Sequence, residues 1–353
     1  MTGGVTTLRT APVGASIRTL RLHRRRSRFT LTALLGALAF ALFVITLTVG
    51  SSSIPVTDVL ASLFGLESNE GVDFIVHDLR LPIAGAALCV GLALGIAGTL
   101  FQQLLNNPLA APEFVGISAG ASLAAVSGIV LFAWSGIEIS LAPLAGAFAA
   151  AILIYALAWR GGISGYRLIL IGIGLTELML ALVTYLIARA QIYDAREATH
   201  WLTGSIGQSG ADELRALIVV LLLLAPLALL LNRSLRTLQL GDDAARGLGA
   251  RVETARLGLL AIAVALVAFA TAVAGPIAFV ALVAGPIAHR ILGPTQSSIL
   301  AAGFVGASIV LVADLIAQQV LPVALPTGVV TGAVGAPYLL WVLVTLNRQG
   351  RGG

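Results

Sequence analysis

Charged side chains are scarce in this chain of 353 residues. Only 10% of its residues are charged, whereas soluble domains carry about 25%. Hydrophobic residues make up 58% of the chain, and the mean hydropathy is +1.00. This composition excludes a globular cytosolic protein and a disordered one, and it predicts a chain that spans a membrane.

Lysine is absent, so all 21 basic residues are arginine. The phosphate-binding pattern GxxxxGK[ST] requires a lysine, and any ATP that the protein depends on would therefore have to bind to another chain. The single cysteine, Cys89, cannot form an internal disulfide, and the four histidines do not have zinc-ligand spacing. We therefore predict no metal site and no cofactor in this chain.

Ten apolar segments match the length of membrane-spanning helices, which need about 20 residues. They lie near 29–50, 82–105, 114–134, 140–159, 167–189, 214–232, 253–274, 277–292, 298–317 and 327–346. The eighth is short, and the sequence GPIA occurs both at its start and within it. We predict two backbone breaks there, at Gly275-Pro276 and at Gly285-Pro286. The predicted membrane domain is 29–346, between tails at 1–28 and 347–353.

The placement of arginine predicts that both termini are cytoplasmic, because inner loops collect positive charge. With the N-terminus inside, only Arg80, Arg189, Arg196 and Arg215 fall on the outside, where ten acidic residues collect. The basic run at 21–28 is interpreted as an orientation signal and not as a nucleic-acid site. A cleaved signal peptide is disfavoured because the apolar run that follows is too long.

Two polar stretches interrupt the spans on the predicted inner side. The stretch 102–110 ends the second span at an Asn-Pro pair. From Leu238 to Gly249, apolar residues recur at helical spacing, and two aspartates follow Gly241 as they would at a helix start. A short amphipathic helix of this kind can bind in a groove of a partner protein.

The order and spacing of these motifs resemble the FecCD, or BtuC-like, permease subunits of ABC importers for iron-siderophores, haem and vitamin B12. The motifs are DLRLP at 78–82, GxxxQxLLxNPLAAPxFVGISAGA at 98–121, WLTGS at 201–205, LGDDAARGLG at 240–249, GPIAFVAL at 275–282, AD at 313–314 and LPTGVVTGAVGAPYLL at 325–340. The resemblance implies an all-α polytopic bundle of about ten helices, the type II importer fold. It also implies a second permease subunit, two cytoplasmic ATPases that bind ATP and Mg, and an extracytoplasmic substrate-binding lipoprotein.

The same resemblance implies roles for particular residues. A coupling segment at about 233–252 would contact the ATPase through Leu240, Gly241, Asp242, Ala245, Gly247, Leu248 and Gly249. Arg80 would receive the binding protein, and because other docking arginines are missing it would work either with Arg196 or with a partner subunit. Gly162 and Ser164 would belong to a gate. Apart from the resemblance, Gln102 and Glu177 are further candidates for the path. Ile83, Gln318 and Ala324 stand where the family often has charged residues, and these losses favour a heterodimer over a homodimer.

Several alternatives remain open at this point. Glu177 lies inside the fifth span, where it either lines the path or bonds to a neighbouring helix. An ion-coupled secondary transporter would need more intramembrane carboxylates than this. The GxSxG match at 116–120 lacks the strand context of a hydrolase and is interpreted as helix packing. The GPIAFVAL stretch favours a ferric siderophore as substrate, with haem and cobalamin as alternatives.

Overall fold

The computed structural model describes residues 13–50, 54–66, 69–160, 165–207, 209–293 and 299–349, and this part of the chain contains helices and no strands. The helices are α1 Val13–Thr48, α2 Val56–Leu63, α3 Glu70–Asp73, α4 Leu81–Leu104, α5 Ile117–Phe132, α6 Ile137–Ala158, α7 Gly165–Arg189, α8 Ile192–Leu202, α9 Ala211–Leu230, α10 Asn232–Leu238, α11 Asp242–Gly247, α12 Val252–Ala274, α13 Val280–Leu292, α14 Ile299–Leu315 and α15 Thr327–Gln349. Two π-helical stretches, Phe74–Arg80 and Ile316–Val320, and a 3₁₀ turn, Pro112–Val115, join or extend them.

Each of the ten predicted apolar segments coincides with a helix. Within the described residues, seven helical stretches are long and apolar enough to cross a membrane: Arg26–Thr48, Glu70–Leu104, Glu138–Ala158, Gly165–Arg189, Ala211–Leu230, Val252–Ala274 and Ile299–Val320. Helices α5 and α13 are apolar but shorter, and α15 covers the last predicted segment. The predicted all-α polytopic fold is therefore confirmed.

Helix α4 lies at the centre of the bundle, packed between α12, α13 and α14. Its glycines permit this position, because a Cβ on Gly91, Gly95 or Gly98 would overlap backbone atoms of the neighbouring helices. Gly332 of α15 differs from these glycines, because within the described chain no atom of another element lies within 4 Å of a Cβ built there.

The predicted break at Gly275 is present, and the predicted break at Pro286 is wrong. Gly275 and Phe279 both have a φ of 68° and turn the chain between α12 and α13, whereas Pro286 lies inside α13. Proline cannot donate to the carbonyl of Leu282 four residues earlier. The Gln102 side chain of α4 donates to that oxygen instead, with an Nε2–O distance of 2.8 Å, so the helix continues.

The WLTGS stretch is held where α12 ends and α15 begins. Ser205 N–H donates to the carbonyl of Ala274, and Gly328 N–H donates to the carbonyl of Gly204. A Cβ on Gly204 would lie 2.5 Å from the Pro276 carbonyl oxygen, which explains the glycine at this position. Three separate segments are thereby fixed at one end of the bundle.

Candidate functional site

The predicted coupling segment forms two short helices, α10 and α11, between α9 and α12. Gly241, with a φ of 93°, precedes α11, and Gly249, with a φ of 80°, follows it. Side chains other than glycine rarely adopt these angles, so the two residues allow the tight turns on either side of α11. The predicted short helix in this segment is therefore present.

The segment has one buried face and one exposed apolar face. Ala245 is fully buried against the bundle, as is Leu235 of α10, whereas Leu240 and Leu248 are 62% and 69% exposed. Exposed leucines on a polar segment are typical of a surface that a partner protein covers. The exposed pair thus forms an apolar ridge, Leu240 and Leu248, at the two ends of α11.

An ion pair ties α11 to the transmembrane bundle. Arg256 of α12 contacts Asp242 at the start of α11 with an Nη2–Oδ1 distance of 2.6 Å, and their side chains are 15% and 37% exposed. Arg256 also lies 3.6 Å from Glu253 Oε1, and the second oxygen of Glu253 is buried without a hydrogen-bond partner. The sequence analysis missed Arg256, because no local spacing rule pairs residues 14 positions apart.

A second ion pair in the same region differs from the first in exposure. Arg246 and Asp243, both on α11, approach to 3.5 Å, and both side chains are largely exposed to solvent. Exposed pairs of this kind contribute little to stability. The Asp242–Arg256 pair is therefore the electrostatic connection between α11 and α12 in the described residues.

Arg256 also lies near the ends of two other helices. A small cavity places it beside Leu105, after the end of α4, and beside Gly165 and Leu168 at the start of α7. Residues 161–164, which contain the predicted gate residues Gly162 and Ser164, lie outside the described residues. Helix α7, which follows that stretch in sequence, is thus adjacent to the residue that holds α11.

Arg80 caps the end of α1. Its Nη1 donates to the carbonyl oxygens of Leu47 and Thr48, at 2.8 and 3.1 Å, a position where a positive charge complements the helix dipole. Arg80 also lines a cavity of about 400 Å³ together with Asp314 and Gln318. Its predicted docking role stays a prediction, and capping of α1 is a role that the sequence analysis missed.

The structure does not place Arg196 in the wall of that cavity. Arg196 is an exposed residue of α8, a helix that packs against α5 and α7. That cavity is instead lined by residues at the end of α1 and just after it, by residues of the Glu70–Leu104 stretch, by residues at the end of α14 and in the π-helical stretch that follows it, and by Gly207. The proposed cooperation of Arg196 with Arg80 therefore gains no support from the geometry.

The two predicted path residues occupy different environments. Gln102 is buried and its amide is engaged by the Leu282 carbonyl, so within this chain it supports α13 and does not line an open path. Glu177 is exposed on α7. In the described part of the chain its carboxylate has no hydrogen bond to a neighbouring helix. Within the single subunit, the interpretation that Glu177 bonds to a neighbouring helix is therefore not supported.

Glu113 is a further polar contact that the sequence analysis missed. Its Oε1 accepts a hydrogen bond from the backbone N–H of Phe279 at 3.1 Å, and so links the α4–α5 connection to the α12–α13 turn. Burial raises the pKa of Glu113 to about 7, and the Phe279 N–H opposes that shift. The signal in the sequence that could have indicated this contact is the presence of an acidic residue in an otherwise apolar stretch.

No metal centre is evident in the part of the chain that the structure describes. Within these residues, no group of three or more His, Cys, Asp or Glu side chains converges in a way that could hold a metal ion.

Comparisons with known proteins agree on one family. The profile described as the FecCD transport family matches residues 37–345. The chain is 38% identical over 302 residues to the ferric enterobactin transport system permease protein FepG of Escherichia coli strain K12, a match that covers 85% of this chain and 91% of that protein. It is 40% identical over 311 residues to the achromobactin transport system permease protein CbrC of Dickeya dadantii strain 3937, covering 87% and 89%.

A solved structure supports the same assignment. An inward-facing ABC transporter, assigned to the metal-chelate type, matches with a TM-score of 0.78 at 27% identity, and the match covers 90% of this chain and 99% of that chain. The number and length of its apolar helices are those of a multi-pass membrane protein. The chain therefore belongs to the FecCD transport family, as a permease of the ABC transporter class.

Proposed function

We propose that this chain is a non-catalytic permease subunit that carries a ferric siderophore across the cytoplasmic membrane while a separate subunit hydrolyses ATP. The names of FepG and CbrC, which refer to ferric enterobactin and achromobactin, support an iron chelate as the substrate. Haem and cobalamin are the alternative substrates. The absence of lysine, and hence of a GxxxxGK[ST] phosphate loop, supports hydrolysis elsewhere.

The observation that carries this proposal is the geometry of α11. Its flanking leucines, Leu240 and Leu248, are exposed for a partner, and its first residue is tied to α12 through Arg256. An ATPase bound to the leucine ridge would move α11, and the Asp242–Arg256 pair would pass that movement to α12. Helix α12 packs on α4, α6 and α9, so the movement would reach the centre of the bundle.

A second permease subunit completes the path in this proposal. Glu177 supports such a partner, because an exposed carboxylate within a span is costly in lipid and is expected to face a water-filled path or another subunit. Ile83 and Gln318, which replace arginines common in the family, favour a heterodimer in which the other subunit supplies more of the binding-protein contact. The outer lipoprotein would dock on the face that contains Arg80.

The proposed orientation has both termini in the cytoplasm. It is supported by the distribution of arginine, which collects at the ends of the spans on one side. On that side lie the basic start of α1 and the α10–α11 segment. Cysteine labelling tests this orientation in a Cys89→Ala background, with a single cysteine introduced at Ser234 or at Thr57. A membrane-impermeant reagent added to intact cells should label Thr57→Cys and should not label Ser234→Cys. The reverse pattern would overturn the orientation.

Reconstitution tests the function directly. The permease is co-expressed with the ATPase and the binding protein encoded beside it, purified and placed in proteoliposomes. We expect ATP-dependent accumulation of a ferric siderophore, and none when the Walker lysine of the ATPase is replaced. The matched control is the permease alone with an imposed ion gradient. Concentrative uptake in that control would overturn the proposal in favour of a secondary transporter.

A further inference from the structure

A cleft lies between α1 and the α9–α10 corner, at one end of the bundle. Its volume is about 400 Å³, within the range of roughly 300–1,000 Å³ typical of small-ligand sites. Helix α1 packs along α14, whereas α9 packs on α4 and α12, which leaves the space between them open. The floor and walls are apolar and include Phe29, Leu229, Leu300 and Phe304.

Two arginines from different helices stand at the mouth of this cleft. Arg28 belongs to α1 and Arg236 to α10, and Asn232 lies beside them in the lining. No acidic side chain is among the described residues that line the cleft. The acidic residues of the neighbouring α11, Asp242 and Asp243, are paired with other arginines. The mouth therefore carries a concentrated positive charge above an apolar cavity.

The polar residues of the cleft lie near the ends of apolar stretches of membrane-spanning length. Arg28 is near the start of the stretch Arg26–Thr48, and Asn232 lies two residues after the end of the stretch Ala211–Leu230. The cleft begins where α14 begins, at Ile299. Polar head groups and the first part of the acyl chains meet at this depth in a bilayer.

We propose that this cleft binds an anionic glycerophospholipid, with the phosphate between Arg28 and Arg236 and an acyl chain in the cavity. The guanidinium group matches phosphate oxygens through paired hydrogen bonds, and basic pockets between membrane helices are suited to lipid head groups. A free phosphate ion would satisfy the arginines but would leave the apolar cavity unfilled. The amphipathic shape of the cleft therefore favours the lipid.

The location gives this lipid a structural consequence that goes beyond the proposed transport function. Helix α1 is peripheral, and α10 directly precedes the coupling helix α11. A phosphate held by Arg28 and Arg236 would bridge these two elements across the cleft. The lipid would thus brace the base of the coupling segment against α1.

Lipid titration of the purified, delipidated transporter complex tests the proposal by native mass spectrometry. The probes are dioleoyl-phosphatidylglycerol, dioleoyl-phosphatidylcholine and glycerol 3-phosphate. We expect wild type to retain phosphatidylglycerol in preference to the other two. The double variant Arg28→Gln/Arg236→Gln should bind it about 30-fold more weakly, which corresponds to about 1 kcal/mol for each arginine near an anionic head group.

Two further variants make the test specific. Arg233→Gln removes an exposed arginine of α10 that does not line the cleft, and it should bind like wild type. Ala33→Trp fills the cleft and keeps both arginines, and it should lose phosphatidylglycerol. The proposal would be overturned if wild type bound phosphatidylcholine or glycerol 3-phosphate as well as phosphatidylglycerol. It would also be overturned if Arg233→Gln lost as much phosphatidylglycerol binding as the double variant, or if Ala33→Trp bound phosphatidylglycerol like wild type. None of these readouts depends on transport.

Discussion

Replacing Asp242 with asparagine is expected to loosen α11 from the bundle without unfolding the bundle itself. The carboxylate meets Arg256 at 2.6 Å, and asparagine keeps the size of the side chain while it removes the charge. Because α11 has only six residues, it cannot be stable as an isolated helix and depends on its contacts with α10 and α12. Loss of the ion pair should therefore appear first as local opening of α11.

The exposure of the two side chains sets the size of the effect. Breaking a fully buried ion pair costs about 3–5 kcal/mol, and an exposed pair contributes about 0.2–1 kcal/mol. With side chains 15% and 37% exposed, this pair lies between the two, at about 2 kcal/mol. That value corresponds to an increase of about 30-fold in the detached fraction of α11. Arg256→Gln should cost more, because Glu253 would then stay partly buried without its positive neighbour.

Hydrogen exchange and coupling measurements on the reconstituted complex check this expectation. Amide exchange in α11 should accelerate about 30-fold in Asp242→Asn, and less substrate should be imported per ATP hydrolysed. Asp243→Asn is the matched control, since its partner Arg246 is also exposed, and it should leave both quantities unchanged. Adding Asp242→Asn to Arg256→Gln should have little further effect, because the pair is already broken. Equal acceleration in Asp242→Asn and Asp243→Asn would refute this assignment.

Three other predictions concern single residues. Gly98→Ala should lower the thermal unfolding midpoint, because its Cβ would overlap α13 backbone, whereas Gly332→Ala should not; scanning fluorimetry that shows equal shifts would contradict this. The raised pKa of Glu113 gives a stability contribution that is present below pH 4.5 and is lost as the pH rises to about 7. The free energy of unfolding by urea in detergent should therefore decrease as the pH rises over this interval, and Glu113→Gln should remove that dependence. An unchanged pH dependence in Glu113→Gln would exclude Glu113 as its source. Glu177→Gln should reduce uptake in proteoliposomes, and wild-type uptake at every pH would remove its path role.

The helices could be predicted from the sequence because hydrophobic segments of membrane length carry strong local signals. Helix α11 was predictable for a similar reason, because its apolar spacing after Gly241 is contained in about ten consecutive residues. The first helix break was marked by Gly275-Pro276 in the same local manner. All of these features depend on residues close together in the chain.

The contacts that hold the site together could not be predicted in this way, because they join distant residues. The Pro286 position looked like a break until the structure placed Gln102, 180 residues from Leu282, against the freed carbonyl. Arg80 looked like an exposed docking residue, yet the carbonyls that it caps lie 32 and 33 residues earlier. A single sequence contains the donors and acceptors but not their pairing.

Helix α12 connects the two ends of the proposed mechanism. It has 23 residues and is therefore about 34 Å long, enough to cross the bilayer as one rigid body. Arg256 near its start meets α11, and Gly275 after its end is packed against the WLTGS stretch at Gly204. Because the interior is close-packed along α4, a displacement of α12 cannot be absorbed by local compression. Movement imposed at Asp242 would therefore have to appear at the turn between Gly275 and Phe279, where Glu113 accepts a hydrogen bond from Phe279, the residue before α13.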